Sequence, residues 1–272
     1  MLKLHTWEDL QQLLKVSEAP DLDFKEALDP DAPRFGVEAR KDIAALANTL
    51  GGHIVIGAST DQNRSRCTGF HGVPSELAGR LGTLLEAQGK QGCRPTPMLS
   101  TRVIDVPEKP TKVLLLGVGM SPVAPIGASL KQDVGGHLVD VGWCFPYRVG
   151  SQTEYLTPDQ FGAYEFMSAR RAAALLNGIP QDELEKISLR LDHPTTRGLT
   201  KLARLVGISL VENTAAFCLN HRDTLIRVPL DDVGPVWRGV ENRWNVVLAG
   251  TLAPLPGGVD LVYWPSFSGG RY

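Results

Sequence analysis

The stretch Asp42-Ile43-Ala44-Ala45-Leu46-Ala47-Asn48-Thr49-Leu50-Gly51-Gly52-His53-Ile54-Val55-Ile56-Gly57 changes period at its centre. Up to Leu50, the apolar residues Ile43, Leu46, Ala47 and Leu50 recur at helical steps, which predicts a helix over about Val37 to Thr49. Asn48 falls in its last turn, and Gly51-Gly52 supplies the backbone freedom that ends it. His53 to Gly57 is then a short apolar run, as a buried strand requires. Helix, glycine turn and buried strand make one compact unit, and this unit sets the fold class.

Upstream, Thr6 followed by Asp9 reads as a variant capping box opening a helix from Trp7 to about Lys15. After Pro20, residues Asp21 to Lys25 alternate with period two. As a strand they send Leu22 and Phe24 to one face and Asp21, Asp23 and Lys25 to the other. Downstream, Ser75 to Gln88 reads as a helix, and Met98–Val106 and Lys112–Val118 as strands joined by a turn at Pro107–Pro110. His137–Val141 and Phe145–Val149 are two more candidate strands. Thr157-Pro158-Asp159-Gln160 starts a helix that should run to Asn177 and stop at Gly178. Beyond it we expect short helices at Gln181–Leu191 and Leu199–Val206. Strands at Ala215–Leu219, Leu225–Val228, Trp244–Gly250 and Val259–Trp264 should follow, the last two joined by a Pro-Gly-Gly hairpin at 256–258. The expected fold class is α+β: a mixed β-sheet with flanking helices over residues 1–178, then a smaller α+β C-terminal region over 179–272.

Composition limits function. The N-terminus lacks the uninterrupted apolar core of a signal peptide, and no stretch is long enough to span a membrane, so the expectation is a cytoplasmic protein without a membrane partner. Cys67, Cys93, Cys144 and Cys218 form no CxxC pair, which argues against zinc knuckles and for free thiols. The net charge is -2, with 18 basic and 20 acidic residues up to Gly178 and ten of each beyond. A phosphate-binding surface must therefore be built from local patches. There is no GxxxxGK[ST], so a P-loop is not supported.

Three segments carry a family resemblance: Glu18-Ala-Pro-Asp-Leu-Asp23-Phe24-Lys25, the Asp42–Gly57 stretch, and Pro146-Tyr147-Arg148-Val149-Gly150-Ser151. Their order and spacing resemble the Schlafen/AlbA-like domain. Its outline is a Glu-Phe-Lys strand, a helix ending Ala-Asn-Thr-x-Gly-Gly, a strand ending Ile-Gly and a late Tyr-Arg-x-Gly. The resemblance implies a mixed sheet with flanking helices and nucleic-acid binding (RNA or DNA), often in transcription regulators, and it leaves room for a homo-oligomer. Some members are metal-dependent endoribonucleases with three carboxylates. The matching positions here are Glu18 and Asp23, with Asp61 standing in for the third, because Ser59 occupies the usual acidic place. With Mg²⁺ or Mn²⁺, such acids could neutralise phosphodiester charge and activate an attacking oxygen. Asp23 with Lys25 as an ordinary surface ion pair is the alternative.

The candidate nucleic-acid contacts are Lys25, Arg34, Arg40, Lys41, Arg64, Arg66 and Arg148, which would position phosphates. For Arg148 a sheet-edge salt bridge is the competing role. His53 reads as a hydrogen-bonded structural histidine, and Asn48 with its glycines as a structural helix end. Three functions follow: a nucleic-acid-binding regulator, a metal-dependent nuclease, and a protein-interaction scaffold.

Overall fold

The computed structural model describes residues 4–61, 66–122, 125–134, 137–164 and 167–168. Beyond these it describes the segments 187–192, 199–209, 213–219, 225–229, 233–238, 244–249, 253–255 and 258–260. The Thr6 hydroxyl accepts the Asp9 N–H and the Asp9 carboxylate accepts the Thr6 N–H, the reciprocal box that opens α1 (Trp7–Gln11). This helix stops four residues before the expected Lys15. There the chain turns through a positive φ and the Lys15 N–H donates to the Cys67 carbonyl instead.

β1 (Leu22–Lys25) runs parallel to β2 (Gly52–Ile56), with Asp23 opposite Ile54 and Lys25 opposite Ile56, and α2 (Phe35–Ala47) lies between them in sequence. The short hairpin of β3 (Ala58–Thr60) and β4 (Cys67–Phe70) follows, then β5 (Val73–Pro74), α3 (Ser75–Gly92), β6 (Cys93–Arg94), β7 (Leu99–Asp105) and β8 (Thr111–Val118). The main sheet is mixed: β2 pairs antiparallel with β8, which pairs on its other side with β7 and β5.

Both faces of this sheet are covered, which explains the unbroken apolar runs of β2 and β8. Ile54, Ile56, Leu114 and Leu116 pack with Ile43 and Leu46 of α2 and with Leu81 and Leu85 of α3. The alternate residues Leu22, Phe24, Val55, Val113 and Leu115 pack on the other face with Leu10 and Leu13. The predicted alternation of β1 therefore holds, with Leu22 and Phe24 in one core layer and Asp23 turned away from it.

The glycine pair is required by contact. Gly51 and Gly52 both take positive φ, and a Cβ on Gly52 would stand 2.0 Å from the Asp21 carbonyl oxygen. Asn48 does more than finish the helix. Its Nδ2 donates to the carbonyls of Ile126 (2.9 Å) and Pro146 (2.8 Å), and its Oδ1 accepts the Ile126 N–H at 2.6 Å. The Thr49 hydroxyl accepts the Arg148 N–H at 2.8 Å. These bonds hold β9 (Gly127–Val134) and β11 (Pro146–Val149) to the end of α2. Here β10 (His137–Cys144) pairs with β9, and β12 (Gln152–Tyr155) pairs with β11.

Thr157 and Gln160 form the expected capping box, but the turn they open is first a 3₁₀ segment, Pro158–Gln160. The expected helix end at Asn177 and the boundary at 178 lie outside the described residues. Past them, β13 (Ile187–Asp192), β14 (Leu199–Ser209), β15 (Thr214–Leu219), β16 (Leu225–Pro229), β17 (Val233–Arg238) and β18 (Trp244–Ala249) form a six-stranded sheet in the order β16-β15-β14-β13-β18-β17. The helix expected at Leu199–Val206 is thus a strand. The one expected at Gln181–Leu191 is a strand from Ile187 on, its earlier residues lying outside the described set. β19 (Ala253–Leu255) and β20 (Gly258–Asp260) pair antiparallel, so the partner of the last strand is Ala253–Leu255 and not the expected Trp244–Gly250, which as β18 pairs with β13 and β17. Among the described residues, no helix is long and apolar enough to cross a membrane.

Candidate functional site

Because β1 sends Asp23 and Lys25 toward α2, three charged segments meet at its C-terminal end. Arg148 on β11 reaches Asp23 with Nη1 2.9 Å from Oδ1. Lys25 Nζ lies 2.9 Å from Asp23 Oδ2 and 3.2 Å from Oδ2 of Asp42 on α2. The Arg148 and Asp23 side chains are only 2% and 5% exposed, so the salt bridge expected as one role of Arg148 is a buried one, and Asp23, which also pairs with Lys25, is not an ordinary surface acid. Arg148 Nε and Nη2 are also buried and have no hydrogen-bond partner among the described residues.

Burial alone would lower the Lys25 pKa, but the charges of Asp42 and Asp23 outweigh it and hold the ammonium above its ordinary range. Burial pushes the Asp42 carboxyl up, against the pull of Lys25. Burial likewise raises Glu18, reinforced by the Asp23 charge and opposed by the Phe24 N–H that Glu18 Oε1 accepts at 3.1 Å.

These groups line a polar cleft of about 550 Å³ whose walls include Glu18, Asp23, Lys25, Asp42, Thr60 and Arg148. A second hollow of about 340 Å³ adjoins it, walled by Leu28, Arg34, Phe35, Ile54 and Leu85. Lys25, Ala27 and Asp42 belong to both.

The structure brings some of the candidate residues together and separates others. Glu18 and Asp23 share the cleft, and the β2–β3 region comes beside them: the Thr60 N–H donates to Glu26 at 3.4 Å, and Arg66 forms a backbone bridge with Ser17. Asp61 closes its own turn, its N–H donating to the Arg66 carbonyl (2.9 Å) and its Oδ1 accepting the Arg66 N–H (3.3 Å). It does not line the cleft. Arg34 and Arg66 are exposed. Lys41 pairs with Glu38 at 3.3 Å, and Arg64 lies outside the described residues.

Two expected phosphate contacts are corrected. Arg148 is buried against Asp23, and Arg40 is buried with Nε donating to Gln88 Oε1 and Nη1 to Ser129 Oγ, both at 2.8 Å. Neither guanidinium presents its charge at the surface. The sequence held a signal for Arg40: it sits three, four and seven residues before Ile43, Ala44 and Ala47, on the apolar face of α2. Asp42 and Glu26 were missed, since only the parallel pairing of β1 and β2 under α2 shows that Asp42 faces Lys25.

The carboxylates do not fit a divalent cation as arranged. Among the described residues, no three His, Cys, Asp or Glu side chains group closely enough to hold a metal, and each Asp23 oxygen has a cation 2.9 Å away.

A mixed sheet with flanking helices, its late β11 strand tied back to the end of α2 over an ion-paired cleft, defines an α+β domain of recognisable type. Residues 18–157, just over half of the chain, match the family model described as Schlafen, AlbA_2, and the chain belongs to this family. Among solved structures it is similar to the DIP2311 protein from Corynebacterium diphtheriae at 14% identity with a TM-score of 0.33. That similarity covers 68% of this chain and 46% of that one, so it spans less than half of that protein's length. No curated protein matches.

Proposed function

We propose that this chain binds nucleic acid without cutting it, as suits a regulator of transcription. The observation that carries the reading is a division of labour among its charges. The cleft's most buried acid, Asp23, is neutralised from within by Arg148 and Lys25, while Arg34 in the wall of the apolar hollow and Arg66, bridged through its backbone to Ser17 next to Glu18, are exposed. Internal neutralisation removes the ligand set a hydrolytic metal would need, and exposed arginines on loops and element ends suit backbone positioning. Membership in the Schlafen AlbA_2 family supports the same reading.

Binding to labelled single-stranded RNA, structured RNA and duplex DNA, measured by anisotropy over a salt series, tests it. Each lost phosphate contact should flatten the log–log salt slope by about 0.7–0.9, so Arg34→Ala with Arg66→Ala should flatten it by roughly twice that. No binding to any of these at low salt would leave the scaffold role in its place. A metal-dependent nuclease is the second reading, favoured by Glu18 and Asp23 sharing one cleft. We expect no cleavage with Mg²⁺ or Mn²⁺, and cleavage that vanishes in Asp23→Ala would install the nuclease instead.

A further inference from the structure

The two adjoining hollows differ in chemistry. One is walled mainly by carbon: Leu28, Phe35, Ala39, Ile54 and Leu85. The other carries four carboxylates, Glu18, Asp23, Glu26 and Asp42, against two cations, Lys25 and Arg148. The ion pairs cancel Asp23 and Asp42 against those cations, which leaves Glu18 and Glu26 as an acidic surplus. A phosphate has no proton to give these acceptors and is repelled by them, so it does not belong in this cleft. The complementary ligand has a flat apolar part for the first hollow and neutral hydroxyl donors for the second.

We propose that the paired hollows receive one unstacked ribonucleoside of a bound strand, the base against Phe35 and Leu28 and the ribose hydroxyls donating to carboxylates. This deepens the nucleic-acid reading and rests on it. Asp42 is the residue best placed to meet the sugar. It belongs to the walls of both hollows and gives Oδ2 to Lys25 at 3.2 Å, leaving Oδ1 for a hydroxyl. Glu18 also has a second oxygen beyond the one that accepts the Phe24 N–H. Both volumes fall within the roughly 300–1,000 Å³ of ordinary ligand sites. A phosphate next to the nucleoside would then lie outside the acidic cleft, on the side where Arg34 lines the apolar hollow. Discrimination comes from the 2′-hydroxyl, which a deoxyribose lacks.

The test uses the full chain with heptaadenylate in ribo and deoxyribo form, followed by anisotropy, and with free adenosine and 2′-deoxyadenosine, followed by ligand-observed NMR. The ribo strand should bind at least about tenfold tighter, the lower end for one hydrogen bond to a charged acceptor. Asp42→Asn should bring that ratio toward one, and Phe35→Leu should weaken both strands about fivefold by removing a stacking face. Should Asp42→Asn fail to fold, Ala32→Trp, which adds bulk in the wall of the apolar hollow, should weaken ribo and deoxyribo binding alike. Strands that bind with no ribose preference, unaffected by Phe35→Leu and Ala32→Trp, would overturn the nucleoside site and leave nucleic-acid binding standing. Adenosine binding in the absence of strand binding would uphold the site and overturn the broader reading. Silence from both ligands would overturn both.

Discussion

Replacing Arg148 by methionine removes a guanidinium that is 2% exposed and leaves Asp23, itself 5% exposed, facing Lys25 alone. Deleting one partner of a buried ion pair costs about 3–5 kcal/mol because the other charge stays behind without its counterion. Two features of this pair point to the lower end. Lys25 Nζ remains 2.9 Å from Asp23 Oδ2 and is 30% exposed, so some neutralisation survives. In addition, Arg148 Nε and Nη2 are buried without hydrogen-bond partners among the described residues, so their removal relieves a desolvation cost. We expect a loss of about 3 kcal/mol, equivalent to a fall of about 6–12 °C in Tm for a protein of this size. Urea unfolding followed by far-UV circular dichroism measures it. Adding Asp23→Leu should restore part of the loss, since the stranded carboxylate is then gone. A single-variant loss under about 1 kcal/mol, or a double variant as unstable as the two singles summed, would refute the assignment of Arg148 as the internal counterion of Asp23.

Glu18→Gln should stabilise the protein at neutral pH, because its carboxyl pKa is raised by burial and glutamine can still accept the Phe24 N–H. The raised folded pKa means the penalty is complete above that value and relieved as pH falls toward the ordinary glutamate range, so the advantage should fade below about pH 4 in a Tm–pH series. Gly52→Ala should cost more than about 3 kcal/mol in the same unfolding assay, through both the clash with the Asp21 carbonyl and the positive φ. Asn48→Ala should cost about 3 kcal/mol, since two carbonyls and one N–H lose a buried partner, and amide exchange in β9 and β11 should accelerate while that of β7 does not. A cost under about 1 kcal/mol would remove Asn48 from its role as the link between those strands.

The unit around Gly51-Gly52 was legible because helical and strand periods meet there with a turn between them that only glycine satisfies. The apolar face of β1 was legible for the same reason. The ion cluster was half legible: salt bridges were considered for both Asp23 with Lys25 and Arg148. Yet the partner that joins those pairs to α2, Asp42, lies 17 residues beyond Lys25 and becomes its neighbour only through tertiary folding. Arg148 and Arg40 were read as surface cations because charge is usually solvated, a prior that buried pairing overrides. Leu199–Val206 misled for a different reason. Its Leu199, Leu202, Leu205 and Val206 have helical spacing, and only the antiparallel pairing with β13 and β15, set by residues distant in sequence, makes the segment a strand.

The Asn48 side chain has a practical consequence for dissecting the molecule. Its partners lie 78 and 98 residues downstream. Any fragment that stops before Pro146 would leave one of its amide protons facing nothing, and one that stops before Arg148 would also strip the Thr49 hydroxyl of its donor. A soluble N-terminal piece must therefore extend past Val149, however self-sufficient the earlier strands look. Cuts placed by sequence hydrophobicity alone, near Pro122 and Pro125, would yield chains that collapse without settling into one arrangement.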